Sequence, residues 1–185
     1  MHEAADDHEL QVAHERASKD AFFRTSPHSP IPVVERSRFG GLAYYAIDPA
    51  MRLAGLRLAP GAADEPPEVQ IATSDGGQRT ARRLGTLAFE IHAQPRALAA
   101  YGLGGADGSL FVPFLDATSG TETYGAGRYL DLEPEPDGTY VLDFNVAYHP
   151  YCAYSPDYSC PLTPTENRLP DRIEAGERLA STADH

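Results

Sequence analysis

The side chains able to do chemistry crowd into the last third of this 185-residue chain. Between Phe111 and Leu169 lie both cysteines, Cys152 and Cys160, most of the tyrosines, His149, and a dense set of Asp, Asn, Arg and Pro. Two chemistries suit them. In the first, Arg128, Tyr129, Asp131, Asp143, Asn145 and Tyr148 line a polar pocket, with Glu166 and Asn167 as further ligand-binding groups. Arg128 would orient an anionic group through its planar fork. Asp143 would serve as a base once burial raises its pKa, and these two are the candidate catalytic residues. In the second, His149, Cys152 and Cys160 hold a metal ion, zinc by ligand type, because the short spacing from His149 to Cys152 resembles one half of a zinc clip. Asp143 or Glu166 would complete that set. Each chemistry has a plainer alternative. The cysteines also fit a disulfide closing the loop or two buried thiols acting as small hydrophobes, and Asp and Asn near strand ends cap and turn the chain routinely.

These residues need elements to hold them. Arg128 to Glu133 and Thr139 to Asn145 flank Pro134-Glu135-Pro136-Asp137-Gly138, a loop of hairpin length ending in Gly. A symmetric register sets Tyr129 opposite Asp143 and Asp131 opposite Val141. Leu130, Leu132, Tyr140, Leu142 and Phe144 then share a core face, and Tyr129, Asp131, Asp143 and Asn145 share the other. The following segment, 147–170, has no period, five prolines and the tyrosines Tyr148, Tyr151, Tyr154 and Tyr158. Ordered irregular loops of this kind tend to cover a site or carry function. If they do not, the tyrosines form a contact surface for another molecule, and the protein is a non-catalytic interaction module.

Upstream, Asp6 and Glu9 form a cap-like pair, and Leu10, Ala13, Ala17 and Ala21 recur at helical spacing, which predicts a helix from about Asp7 to Phe23. Thr25-Ser26-Pro27 ends it, and Ser29-Pro30-Ile31-Pro32 is an extended connector. From Gly40 the period falls to about two, with turn signals every eight to twelve residues, the pattern of an antiparallel sheet. Strands are expected near 42–47, 52–59, 69–71, from Gln78 through a break at Gly85, and over 97–103 and 109–114, with turns at Asp48-Pro49, Ser74 to Gly77, Gln94-Pro95 and Ala106 to Gly108. The fold class is mainly β: one antiparallel meander closing into a barrel-like or sandwich domain, since closure removes sticky edges. The chain divides into a helix and connector at 1–39, a β domain at 40–176 and a mobile tail at 177–185.

A formal charge of −12 excludes a nucleic-acid binder, which needs clustered Lys and Arg, and an anionic membrane surface. The basic residues are nearly all Arg, Lys19 being the only lysine. The acidic residues are spread along the chain, as on the self-repelling surfaces that halophiles use for solubility. No apolar run approaches the roughly 18 residues of a membrane span, and the acidic N-terminus lacks a signal-peptide pattern. A cytoplasmic location follows as the expectation. No G-x-S-x-G elbow, phosphate-binding glycine loop or H-E-x-x-H pair is present. The leading expectation is a domain that binds, or binds and turns over, a small polar or anionic molecule.

Three longer patterns remain: D-x-T-S-G-x-E-T-Y-G-x-G-R-Y at Asp116 to Tyr129, D-F-N-x-A-Y at Asp143 to Tyr148, and C-P-x-x-P-x-E-N-R-L at Cys160 to Leu169. Together they resemble a bacterial and archaeal domain-of-unknown-function family, number 1684, and the likeness runs over nearly the whole chain. It implies one domain of family-wide shape and no established activity.

Overall fold

The change of period at Gly40 marks a change from helix to sheet. The computed structural model describes residues 2–61, 68–103 and 108–180. One helix, α1 (His2–Thr25), precedes ten strands: β1 (Ala43–Tyr44), β2 (Arg52–Leu56), β3 (Leu58–Ala59), β4 (Glu68–Ala72), β5 (Gln78–Ile91), β6 (Gln94–Gly102), β7 (Leu110–Phe114), β8 (Arg128–Leu132), β9 (Tyr140–Asp143) and β10 (Glu177–Arg178). The pairings among these strands are antiparallel. The main sheet runs β3-β5-β6-β7-β8, with β4 on the first half of β5 and β3 on the second. Gly85 marks the register shift between those halves, where an added Cβ would meet the Ala59 carbonyl at 2.3 Å. The Pro-rich loop before β4 and most of the turn at Ala106 to Gly108 lie outside the described residues.

The sheet buries both faces. On one, Leu87, Phe89, Leu98, Val112, Phe114, Leu130 and Leu132 meet Leu142 and Phe144 of the β2–β9 ribbon, with Ile173 and Ala175 closing the layer. On the other, Ile71, Ala81, Ala99, Tyr101, Phe111 and Tyr129 pack together under Tyr148. Successive residues of one strand thus enter different clusters, as the period of two requires. The arrangement is a sandwich of sheets and not a closed barrel: β2–β9 and β1–β10 are separate two-stranded ribbons.

The expected hairpin register is overturned. β8 pairs with β7, setting Tyr129 opposite Pro113, and β9 pairs with β2, setting Asp143 opposite Arg52. The connecting loop does close, by Glu135 N–H to the Thr139 carbonyl at 2.8 Å, but the strands then part into different layers. Leu130 and Leu142 meet across the core instead of side by side. The turn expected at Gln94-Pro95 falls two residues earlier, at His92 and Ala93, both with positive φ, so Gln94 and Pro95 begin β6. Glu177 and Arg178 pair with Tyr44 and Ala43, so ordered structure runs past the boundary read at 176.

The helix is longer than expected, and its alanine stripe does not dock. Leu10, Ala13, Ala17 and Ala21 face outward. The docked side is His8, Val12, Arg16, Lys19 and Phe23, mostly polar side chains that each find a partner on the body. Pairing decided the orientation, because an alanine stripe offers little area to bury.

Candidate functional site

Arg128 begins β8 with no exposed surface. Its guanidinium donates to the carbonyls of Ala175, Ile173 and Glu177 and reaches Asp116 at 3.4 Å, with the Phe114 ring 5.1 Å away. Burial lowers its pKa, and the Asp116 carboxylate pulls it partly back. Asp116 in turn accepts from the Thr118 and Ile173 amides and from the hydroxyls of Thr118 and Ser119. The D-x-T-S-G stretch is therefore a turn that anchors the C-terminal segment, and the Arg128 guanidinium is held between that turn and the carbonyls of the segment.

Asp143 and Asn145 are also occupied by the fold. Asp143 caps the 3₁₀ turn Phe144–Val146 by accepting from the Asn145 N–H, and its other oxygen lies 2.5 Å from His8 Nε2. Asn145 clamps Asp48, accepting its N–H and donating to its carbonyl, both at 2.8 Å. Glu166 receives the Tyr101 hydroxyl and pairs with Arg83; burial raises its pKa, yet those two contacts outweigh burial and hold it low. Asn167 is fully buried, with its carboxamide on Ala99 and Pro113.

His149 is enclosed too. Nε2 accepts the Tyr124 N–H at 3.2 Å, and Nδ1 faces Glu177 at 3.3 Å, a distance without hydrogen-bonding alignment. Both ring nitrogens are directed at protein groups, away from the two thiols. Cys152 and Cys160 are free and adjacent: the Cys152 N–H points to Cys160 Sγ at 3.3 Å. Among the described residues no three His, Cys, Asp or Glu side chains have the arrangement of a metal site.

What the fold does build is a cavity of about 690 Å³ between α1, the sheet's second face and the tyrosine segment. That is the size of small-molecule pockets. The helix contributes Glu15, Arg16, Lys19, Phe22 and Phe23; the sheet contributes Arg79, Phe111, Tyr129 and Asp131, with Leu103 just past β6; the segment contributes Tyr148, Tyr151, Tyr158, Cys160 and Pro161. Of the expected ligand-binding residues, Tyr129, Asp131, Asn145 and Tyr148 line it, while Arg128, Glu166 and Asn167 do not. Tyr148 donates to Asp131 at 2.5 Å and Tyr129 donates to the Pro161 carbonyl, which fixes the floor. Burial raises the pKa of both phenols, so they stay neutral.

The basic side chains of the wall differ in what holds them. Lys19 is paired with Glu177 at 2.7 Å and lies 4.9 Å from the Tyr148 ring centre. Arg16 donates only to the carbonyls of Tyr45 and Asn145, stacks on Tyr44 at 4.5 Å, and leaves Nε without a protein partner. Burial lowers its pKa. Arg79 is exposed and pairs with no carboxylate among the described residues. The sequence pattern missed the helix's part because it drew attention to the alanine stripe. The available signal was the polar set at His8, Arg16, Lys19 and Asp20, with the chain's one lysine in it.

Of the segment's tyrosines, Tyr148, Tyr151 and Tyr158 line this cavity. None of Tyr148, Tyr151, Tyr154 and Tyr158 is fully exposed; Tyr151 and Tyr154 pack on Phe23, and Tyr151 meets Tyr158 edge-on at 5.2 Å. Among the described residues no helix is long and apolar enough to cross a membrane.

Comparison with known proteins follows the same outline. Over its whole length the chain is similar to an uncharacterised protein of Haloarcula marismortui whose solution NMR structure is known, with 39% identity, a TM-score of 0.71 and full coverage of both chains. No curated protein matches. The family model for a protein of unknown function, DUF1684, matches residues 37–178, and the chain belongs to that family.

Proposed function

We propose that the cavity beneath α1 binds a small molecule with a flat apolar body and one anionic group. The observation that carries this reading is the convergence of Arg16, Lys19 and Arg79 on an aromatic-walled cavity in a protein of net charge −12. Lys19 and Asp131 already have partners, which leaves the guanidinium groups of Arg16 and Arg79 to meet a carboxylate, sulfonate or phosphate. Phe111, Tyr129 and Tyr148 supply stacking area for a planar body. Binding rather than turnover is the function supported, because Asp143 and Arg128, the candidate catalytic pair, lie outside the wall and are held by structural partners.

The probe that tests this is anilinonaphthalene sulfonate, a planar apolar anion, titrated by fluorescence into the native protein. Saturable binding at one site per chain is expected. Arg16→Gln or Arg79→Gln should weaken it roughly tenfold, the share of one charge-assisted hydrogen bond at about 1.5 kcal/mol. Circular dichroism on the same samples separates cavity binding from the dye uptake of loosened states. Unsaturable binding, or affinity unchanged in both variants, would overturn the reading.

A further inference from the structure

Cys160 forms part of the cavity wall, and the turn carrying Cys152 folds directly against its sulfur. Pro150 leads into the 3₁₀ turn Tyr151–Ala153, which aims the Cys152 N–H at Cys160 Sγ across 3.3 Å. Cys160 is fixed from the other side: its N–H donates to Ser74 Oγ at 3.0 Å, and its carbonyl accepts the Ser74 N–H at 2.9 Å. An N–Cα bond adds about 1.5 Å, so the Cys152 α carbon lies within about 5 Å of the Cys160 sulfur. An α carbon this near the other residue's sulfur is within the reach of its own thiol, since a cysteine side chain and the S–S bond together span about that distance.

The two thiols are not equivalent. Cys152 is half-buried and Cys160 buried, and burial pushes the Cys160 thiol up to about 11. Burial, and after it the neighbouring Cys152, push the Tyr124 phenol up to about 12, so it keeps its proton. The less buried cysteine is the one placed to meet a disulfide from outside, and the enclosed sulfur stands where a second step needs it.

We propose that Cys152 and Cys160 are a redox-active dithiol that exchanges with a small-molecule disulfide, Cys152 attacking and Cys160 resolving. The Cys152 thiolate attacks one sulfur of the small disulfide; that S–S bond breaks, a mixed disulfide forms on Cys152, and the first thiolate leaves. Cys160 sulfur, losing its proton to solvent, then attacks Cys152 sulfur and releases the second small thiolate. The protein dithiol is oxidised by two electrons and the small disulfide is reduced to two thiols, which take up the two protons. The proposal does not depend on what the cavity binds.

The experiment uses the full chain, reduced and freed of reductant, incubated with glutathione disulfide in mildly alkaline buffer. Intact mass and thiol titration in denaturant are followed with time. The expected product is a monomer two hydrogens lighter with both titratable thiols lost, and dithiothreitol should restore both. Cys160→Ser should stop at one glutathione per chain, whereas Cys152→Ser should remain unmodified over the same interval. Retention of both thiols in the native wild type, two glutathiones per chain without bridging, or bridging only after denaturation would each overturn the proposal. If a serine variant fails to fold, the wild-type mass and the order of alkylation by iodoacetamide, Cys152 first, decide alone.

Discussion

Lys19 Nζ lies 2.7 Å from Glu177 Oε2, joining the N-terminal helix to a strand 158 residues further along the chain. Only 1% of the Glu177 side chain is accessible, against 24% for Lys19. Lys19→Met leaves that carboxylate enclosed with His149 alone, and removing one partner of a buried pair costs about 3 kcal/mol. Urea unfolding should show the midpoint falling with an unchanged slope. Glu177→Gln added to Lys19→Met should recover part of the loss. A change below about 0.5 kcal/mol would class the contact with surface ion pairs and refute the assignment.

Acid should expose the same carboxylate. Burial alone raises the Glu177 pKa, but His149 and Lys19 outweigh it and hold the folded value below the ordinary 4.5. As pH falls, the unfolded chain therefore takes up this proton first. The contribution is present above the unfolded pKa and is lost as pH falls through the folded one. Glu177→Gln should flatten the acid limb of stability against pH, and an unaltered limb would exclude Glu177 as its source.

Arg128→Lys should lower stability by about 3 kcal/mol, because an ammonium on a flexible stem cannot serve three carbonyls and a carboxylate from one buried position. Its guanidinium has no exposed surface and lies outside the cavity wall. The folded variant should bind anilinonaphthalene sulfonate as the wild type does. Tight binding lost without loss of stability would return Arg128 to the ligand site.

Gly127 and Gly138 make a matched pair for backbone tests. Both have positive φ, but a Cβ at Gly127 would sit 2.5 Å from the Phe114 carbonyl and from Thr163 Oγ1, while at Gly138 nothing lies within 4 Å. Gly138→Ala should cost about 1 kcal/mol for the left-handed conformation alone. Gly127→Ala should cost at least about 2 kcal/mol more, as overpacking does. Thermal unfolding compares them directly, and equal losses would show that the contacts yield.

The core was readable because alternation reports which side chains share a layer. Leu130, Leu132, Leu142 and Phe144 are all buried in one cluster, as their spacing implies. Their pairing was not readable. A five-residue loop fits a hairpin, yet β9 pairs with β2, about ninety residues upstream, and no local pattern encodes a partner at that distance. The closeness of Cys152 and Cys160 was legible from the turn at Pro156 between them, and Cys152 N–H does meet Cys160 Sγ. The cavity was half legible. Tyr129, Asp131, Asn145 and Tyr148 belong to the segment with the unusual residues, whereas Arg16, Lys19 and Arg79 come from elements whose facing is settled only by docking. Arg128 and Asp143 do not line the cavity, and sequence could not place them, because buried ties use the same residue types as binding sites.

Between β6 and β7 the ladder is registered at Tyr101 and Phe111, and close by the Asn167 carboxamide takes the Ala99 N–H, the Ala99 carbonyl and the Pro113 carbonyl. It does there what a peptide group of a neighbouring strand would do, beside a proline with no N–H to offer. Deuterium uptake at the Ala99 amide is thus governed by a residue from the irregular C-terminal run. That run cannot peel away without unlocking the middle of the sheet, so the two belong to one cooperative unit. The stretch with the least periodic sequence should be among the last to open.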